Sequence, residues 1–131
     1  MTQYTYTIPG EPISRIKVTE VEEQKIWDDY KQERFNYHHT LKNQHEDQAH
    51  TTERIKTPID VEATFYLRIP HNQNPNSRRG RGKKPTLVNL FNFLNQAIEK
   101  TICFNDSLIR SVTLTKIYDD IPRTVITVKR L

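Results

Sequence analysis

The sequence predicts an α+β fold: a single domain over residues 1–131 with a mixed β-sheet and two main helices, in the order β-α-β-α-β-β. Three observations predict it. From Ile59 to Ile69, the residues Ile59, Val61, Ala63, Phe65, Leu67 and Ile69 share one face, while Asp60, Glu62, Thr64, Tyr66 and Arg68 share the other. That period of two is the pattern of a half-buried strand. Leu87, Leu90, Phe91, Leu94, Ala97, Ile98 and Ile102 recur at three- and four-residue intervals, the pattern of a helix with a wide apolar stripe. Two β-favouring runs then close the chain. A length of 131 residues suits one domain, which buries roughly two-thirds of the surface that its unfolded chain exposes.

In chain order, Gln3 to Ile8 alternates Tyr4, Tyr6 and Ile8 with Thr5 and Thr7 and predicts a first strand, closed by the turn signal Pro9-Gly10. From about Thr19 to His45 the chain is polar and free of Gly and Pro, with Ile26, Tyr30, Tyr37 and Leu41 at helical spacing around Trp27. A surface helix is expected there, broken near Asn36 and followed by a solvated tail to Thr52. After the strand that ends at Ile69, residues 71–85 hold turn formers and cations with nothing to bury, a basic flexible loop. The second helix is expected from about Thr86 to Thr101 with Thr86 as its N-cap. Leu108 to Tyr118 and Thr124 to Lys129 read as strands, joined by Asp119-Asp120-Ile121-Pro122 in a connection short enough for a hairpin. No internal repeat is visible.

The net charge of +4 is unevenly distributed. Residues 20–50 carry eight acids and four bases, whereas residues 54–84 carry eight bases and two acids, so a polyanion is expected to dock on the second stretch. Its densest part is Arg78, Arg79, Arg81, Lys83 and Lys84, spaced by Gly80 and Gly82. Cations at this density neutralise phosphates and release counterions, and glycines let the loop follow a backbone of variable shape. A merely solubilising loop is the plain alternative. Cys103 is the only cysteine, which excludes an intramolecular disulfide and fits a reducing, cytoplasmic setting. No signal-like opening and no apolar run of membrane-spanning length occurs, so neither export nor membrane insertion is expected.

Other residues invite chemistry less strongly. His38, His39, His45 and His50, with Glu46 and Asp47, match no metal-binding spacing and read as a solvated helical face. Cys103 reads as a small buried residue. Trp27 and Tyr30 could stack on bases, but core anchoring is the default for both.

Lys84, Pro85, Asn89, Leu90, Asn105-Asp106-Ser107, Ile109 and Lys116 stand in an order that resembles the active-site segment of the RusA family of Holliday-junction resolvases. In that family a basic stretch leads into Asp-x-Asp-Asn-Leu and a helix carrying a Lys. A turn with a further Asp-Asp pair follows, ahead of a strand that ends near a Lys. Ile8-Pro9-Gly10-Glu11-Pro12 is similar to the family's short Pro-rich opening. The resemblance implies a homodimer that binds four-way DNA junctions and hydrolyses phosphodiesters with Mg²⁺. It places the Asp-x-Asp positions on Thr86 and Val88 and the helix Lys on Asn92, and leaves Asp106 as the one carboxylate that matches a catalytic, metal-ligating residue. Lys116 matches the strand Lys and joins the five loop cations as an expected DNA contact.

Val88 has no donor atom and Thr86 offers a neutral hydroxyl, so Asp106 would hold Mg²⁺ almost alone, which is too little for a hard cation that takes several oxygen ligands. Asn92 supplies no cation to stabilise charge on a reacting phosphate. Carboxylates of Asp60, Glu62 or Glu99 could rebuild a site if they lie beside Asp106. Asp106 could instead make an Asx turn between helix and strand. The expected function is a RusA-like protein that binds branched DNA or Holliday junctions, works without a cofactor and has lost metal-dependent nuclease activity. An active Mg²⁺-dependent junction endodeoxyribonuclease with a rearranged carboxylate cluster is the enzyme alternative. A non-catalytic module that pairs with a protein partner is the third.

Overall fold

The computed structural model describes residues 2–14, 31–69 and 85–131. Its elements are β1 (Thr2–Pro9), α1 (Lys31–Ala49), β2 (Ile59–Arg68), α2 (Leu87–Thr101), β3 (Ile109–Asp119) and β4 (Arg123–Arg130), with a 3-10 turn at Asp106–Leu108. The four strands form one sheet in the order β1-β4-β2-β3. β4 runs antiparallel to β1 and β2, while β2 and β3 are parallel, so the expected mixed sheet is present. A parallel pair needs a long crossover, and α2 supplies it between β2 and β3.

Register explains the burial. Tyr6 pairs with Ile126, Ile126 with Ala63 and Ala63 with Leu114, so one row of side chains crosses the whole sheet on a single face. On that face Tyr4, Tyr6, Ile8, Val61, Ala63, Phe65, Ile126 and Val128 meet Leu90, Phe93, Leu94, Ala97 and Ile98 of α2 in one core. Phe93 belongs to this core although it lies off the simplest apolar stripe. Its ring packs edge-on against Tyr37 of α1 at 4.9 Å and stacks on His38 at 5.7 Å, so packing against α1 widens the buried surface of α2.

Three expectations change. The connection between β3 and β4 is not a hairpin, because β2 lies between those strands. Two strand spacings amount to about 10 Å, which a few extended residues span. Arg123 fixes the crossing: it donates to the Asp119 carboxylate at 2.6 Å and the Ile121 carbonyl at 2.8 Å, and its guanidinium lies 3.7 Å from the ring centre of Tyr66 on the intervening strand. Second, α1 passes through Asn36 unbroken and extends to Ala49; residues 15–30, including Trp27 and Tyr30, lie outside the described residues. Asn36 accepts a bond from Gln32 one turn earlier at 3.0 Å, which keeps this turn-former within the helix.

Third, the stretch around His45 is not a solvated tail. His45 is buried and its Nδ1 pairs with the Tyr6 hydroxyl at 2.8 Å. On either side of it, the side-chain amides of Gln44 and Gln48 each bond both backbone groups of one β1 residue, Thr7 and Thr5 respectively, at 2.7–3.0 Å. These amides occupy edge groups that would otherwise invite another strand. The helix closes at His50, whose φ of 56° is left-handed and whose N–H donates to the Glu46 carbonyl.

Candidate functional site

α2 begins where the basic run ends. Arg78, Arg79, Arg81, Lys83 and Lys84 lie outside the described residues, and the described chain resumes at Pro85. Thr86 is the N-cap, with extended backbone and a hydroxyl that accepts from the Asn89 N–H at 3.2 Å. This oxygen therefore serves the helix end. Lys116 lies on the helix-facing side of β3 and its Nζ donates to the Pro85 carbonyl at 3.3 Å, which puts a half-buried cation beside the first turn of α2.

Val88, Asn92, Asn95 and Glu99 follow at spacings of four, three and four, which sets them on one face of the helix. Val88 is 66 % exposed and Asn92 is exposed. Asn95 donates to the Asp106 carboxylate at 3.3 Å, and the Glu99 carboxylate accepts from the Asp106 backbone N–H at 3.2 Å. The Asx turn at this corner belongs to Asn105, whose side chain accepts from the Ser107 N–H at 2.8 Å, and not to Asp106. Asp106 is thereby left exposed, with its carboxylate turned to the polar stripe of α2.

Of the three candidate replacement carboxylates, only Glu99 meets Asp106. Asp60 is held by Arg110 through two bonds at 3.1 and 2.8 Å, and these bonds keep its carboxyl below the usual carboxylate range. Glu62 is exposed on the strand face opposite the core. Val88 lies seven residues before Asn95, about 10 Å along the helix axis, so Thr86 and Val88 sit well away from the Glu99–Asp106 pair. Among the described residues, no group of three or more His, Cys, Asp or Glu side chains could hold a metal ion. The donor set is thus two carboxylates and an engaged amide, poor in the oxygen ligands that Mg²⁺ requires.

Cys103 is buried, and burial pushes its thiol up to about 11, with the Glu99 and Asp106 carboxylates adding to the rise. Its Sγ donates to the Asn105 carbonyl at 3.4 Å, so it serves as a small core residue. No motif connects Asn95 and Glu99 with Asp106; the only signal in the sequence is their spacing with Asn92 on one helical face. No helix among the described residues is long and apolar enough to cross a membrane. A family model for endodeoxyribonuclease RusA matches residues 9–129. No curated protein matches the chain.

Proposed function

Because the chain belongs to the RusA endodeoxyribonuclease family, we propose that it binds branched DNA of the Holliday-junction type and holds it without metal-dependent cleavage. The observation that carries this reading is the state of the two Asp-x-Asp positions. At one, Thr86 caps α2, and at the other, Val88 offers no donor. DNA lying along this face would meet Lys116 at the start of α2 and the amide of Asn92 further along it. These groups bind phosphate by charge and hydrogen bonding, and none of them generates a hydroxide nucleophile as a bound metal would. The chain acts as a homodimer in this reading, as a four-way junction has paired arms to engage, and the lone buried Cys103 suits a reducing cytoplasmic setting.

A second reading is favoured by one observation. Glu99 lies beside Asp106, and two carboxylates with substrate phosphate can suffice for Mg²⁺ in some sites. In that case the chain would be an active junction endonuclease with a rearranged pair.

The binding test is a salt titration on a labelled four-way junction. Affinity should fall steeply as salt rises, and changing Arg78, Arg79, Arg81, Lys83 and Lys84 together to Gln should flatten the slope by about 0.9 for each phosphate that is no longer neutralised. An unchanged slope in that variant would remove the loop from the docking surface. If the backbone at the start of α2 keeps the family geometry, Thr86→Asp, Val88→Asp and Asn92→Lys together should create Mg²⁺ binding at that end of the helix, read as a metal-dependent rise in melting temperature. Absence of that rise in a folded triple variant would show that the geometry is not retained.

A further inference from the structure

Two residues before Asp106, Phe104 stands 56 % exposed with two cations near its ring. The Arg54 guanidinium lies 5.3 Å from its ring centre and the Lys56 Nζ 6.0 Å. A singly exposed aromatic residue is ordinary. Here the setting is built. The Ile55 N–H donates to the Ile102 carbonyl at 2.7 Å and the Phe104 N–H to the Ile55 carbonyl at 2.9 Å, which ties residues 54–56 to residues 102–104. Ile55, Ile102 and Cys103 beneath this bridge are all buried, so the exposed residues rise from a fixed base. Arg54 is also held by its bond to the Glu99 carbonyl at 2.8 Å, on the helix that carries the candidate site.

We propose that Phe104, flanked by Arg54 and Lys56, is a stacking platform for an unpaired base of a bound nucleic acid. The proposal rests on the reading of this chain as a branched-DNA binder and adds where an unpaired base docks. An aromatic ring stacks on any base because each base has a π-face, and the adjoining cations suit the phosphates one sugar away. Bases inside a duplex have both faces covered by their neighbours. A base at a branch point or in a single-stranded segment presents a free face, so the platform favours branched over linear DNA. Phe104 and Asp106 are two positions apart, so the platform adjoins the corner where Glu99 and Asp106 meet.

The test uses the full chain with a four-way junction carrying 2-aminopurine at an unpaired position beside the branch, and a linear duplex of equal length. Wild type should quench the fluorescence on binding, as stacking does. Phe104→Leu should bind that junction roughly 5- to 100-fold more weakly, abolish the quenching and keep the salt slope. Its affinity for the linear duplex should not change. Arg54→Gln with Lys56→Gln should instead lower the salt slope by about 1 to 2. Phe104 is exposed, so an unchanged thermal melt will separate a stacking defect from a folding defect. If Phe104→Leu quenches and binds as wild type does, the platform is overturned while branched-DNA binding stands. If wild type binds no DNA of either form, both readings fall and the ring is left as a protein-docking residue.

Discussion

α1 and α2 each carry a stripe of amides and ionisable groups, and the two stripes have opposite surroundings. On α1, Gln44 and Gln48 are bonded to the backbone of β1 and His45 is buried against Tyr6, so this polar face holds the sheet edge. On α2, an apolar stripe forms the core, Asn92 is exposed, and Asn95 and Glu99 meet Asp106. The comparison teaches that polarity on a helix does not by itself mark a site. What marks it is side chains left accessible once the fold has taken the bonds that it needs.

The largest effect should come from the core side of α2. Leu94 is fully buried, and Leu94→Ala should destabilise the protein by about 2–5 kcal/mol in urea unfolding, through the forfeited transfer energy and the cavity left behind. Glu99→Gln on the outward face of the same helix should stay within roughly 0.5 kcal/mol. Equal losses in the two variants would break the division between the faces of α2.

Next in size, Gln44→Ala with Gln48→Ala removes four hydrogen bonds to the β1 edge. Stability should drop by about 1–3 kcal/mol, because water replaces part of each bond at this exposed edge. The freed strand edge should also raise self-association at high concentration, measurable by light scattering. A stable, monodisperse double variant would mean that these amides are ornamental.

At the start of α2, Thr86→Ala should cost about 1 kcal/mol by removing the N-cap, whereas Thr86→Asp should be nearly neutral because Asp caps as well. A loss as large for Asp as for Ala would show that Thr86 is needed for something other than capping.

The smallest effect is a pH dependence on α1. Burial, outweighing the Glu53 carbonyl and the Glu46 carboxylate, keeps the His45 pKa below its ordinary 6.5. His38 is lowered as well, first by burial and then by Lys100 and Arg34. Below 6.5 the unfolded chain therefore binds more protons than the folded one. Stability should fall as pH drops from 6.5 toward the folded-state values and be flat in these groups above it. Thermal melts at about pH 7.5 and 5.5 read this, and His45→Gln should shrink the difference. A difference as large in His45→Gln as in wild type would place its origin elsewhere.

The sequence made α2, β2 and the burial of Cys103 legible because apolar periodicity reports a buried face directly. It reported α1 less well. Gln44, His45 and Gln48 look like solvent-facing residues, and only the distant strand β1 gives them partners. The crossing of β3 to β4 was hidden for a similar reason, since a connection of this length suits a hairpin as well as a step over β2. At the candidate site, that Thr86 and Val88 bring no carboxylate to the start of α2 could be read from the sequence. The approach of Glu99 and Asn95 to Asp106 depends on where the 3-10 turn folds back, which no local pattern states. The bridge that sets Phe104 beside Arg54 and Lys56 joins segments far apart in the chain and was equally out of reach.

Binding and strand integrity can be followed together on one labelled four-way junction, with Mg²⁺ present and salt kept low. A junction-binding protein without metal-dependent cleavage gives a retarded complex whose DNA strands remain intact. Nicked strands that depend on Mg²⁺ and vanish in Asp106→Asn and in Glu99→Gln would contradict it, and would identify the Glu99–Asp106 pair as a working metal site.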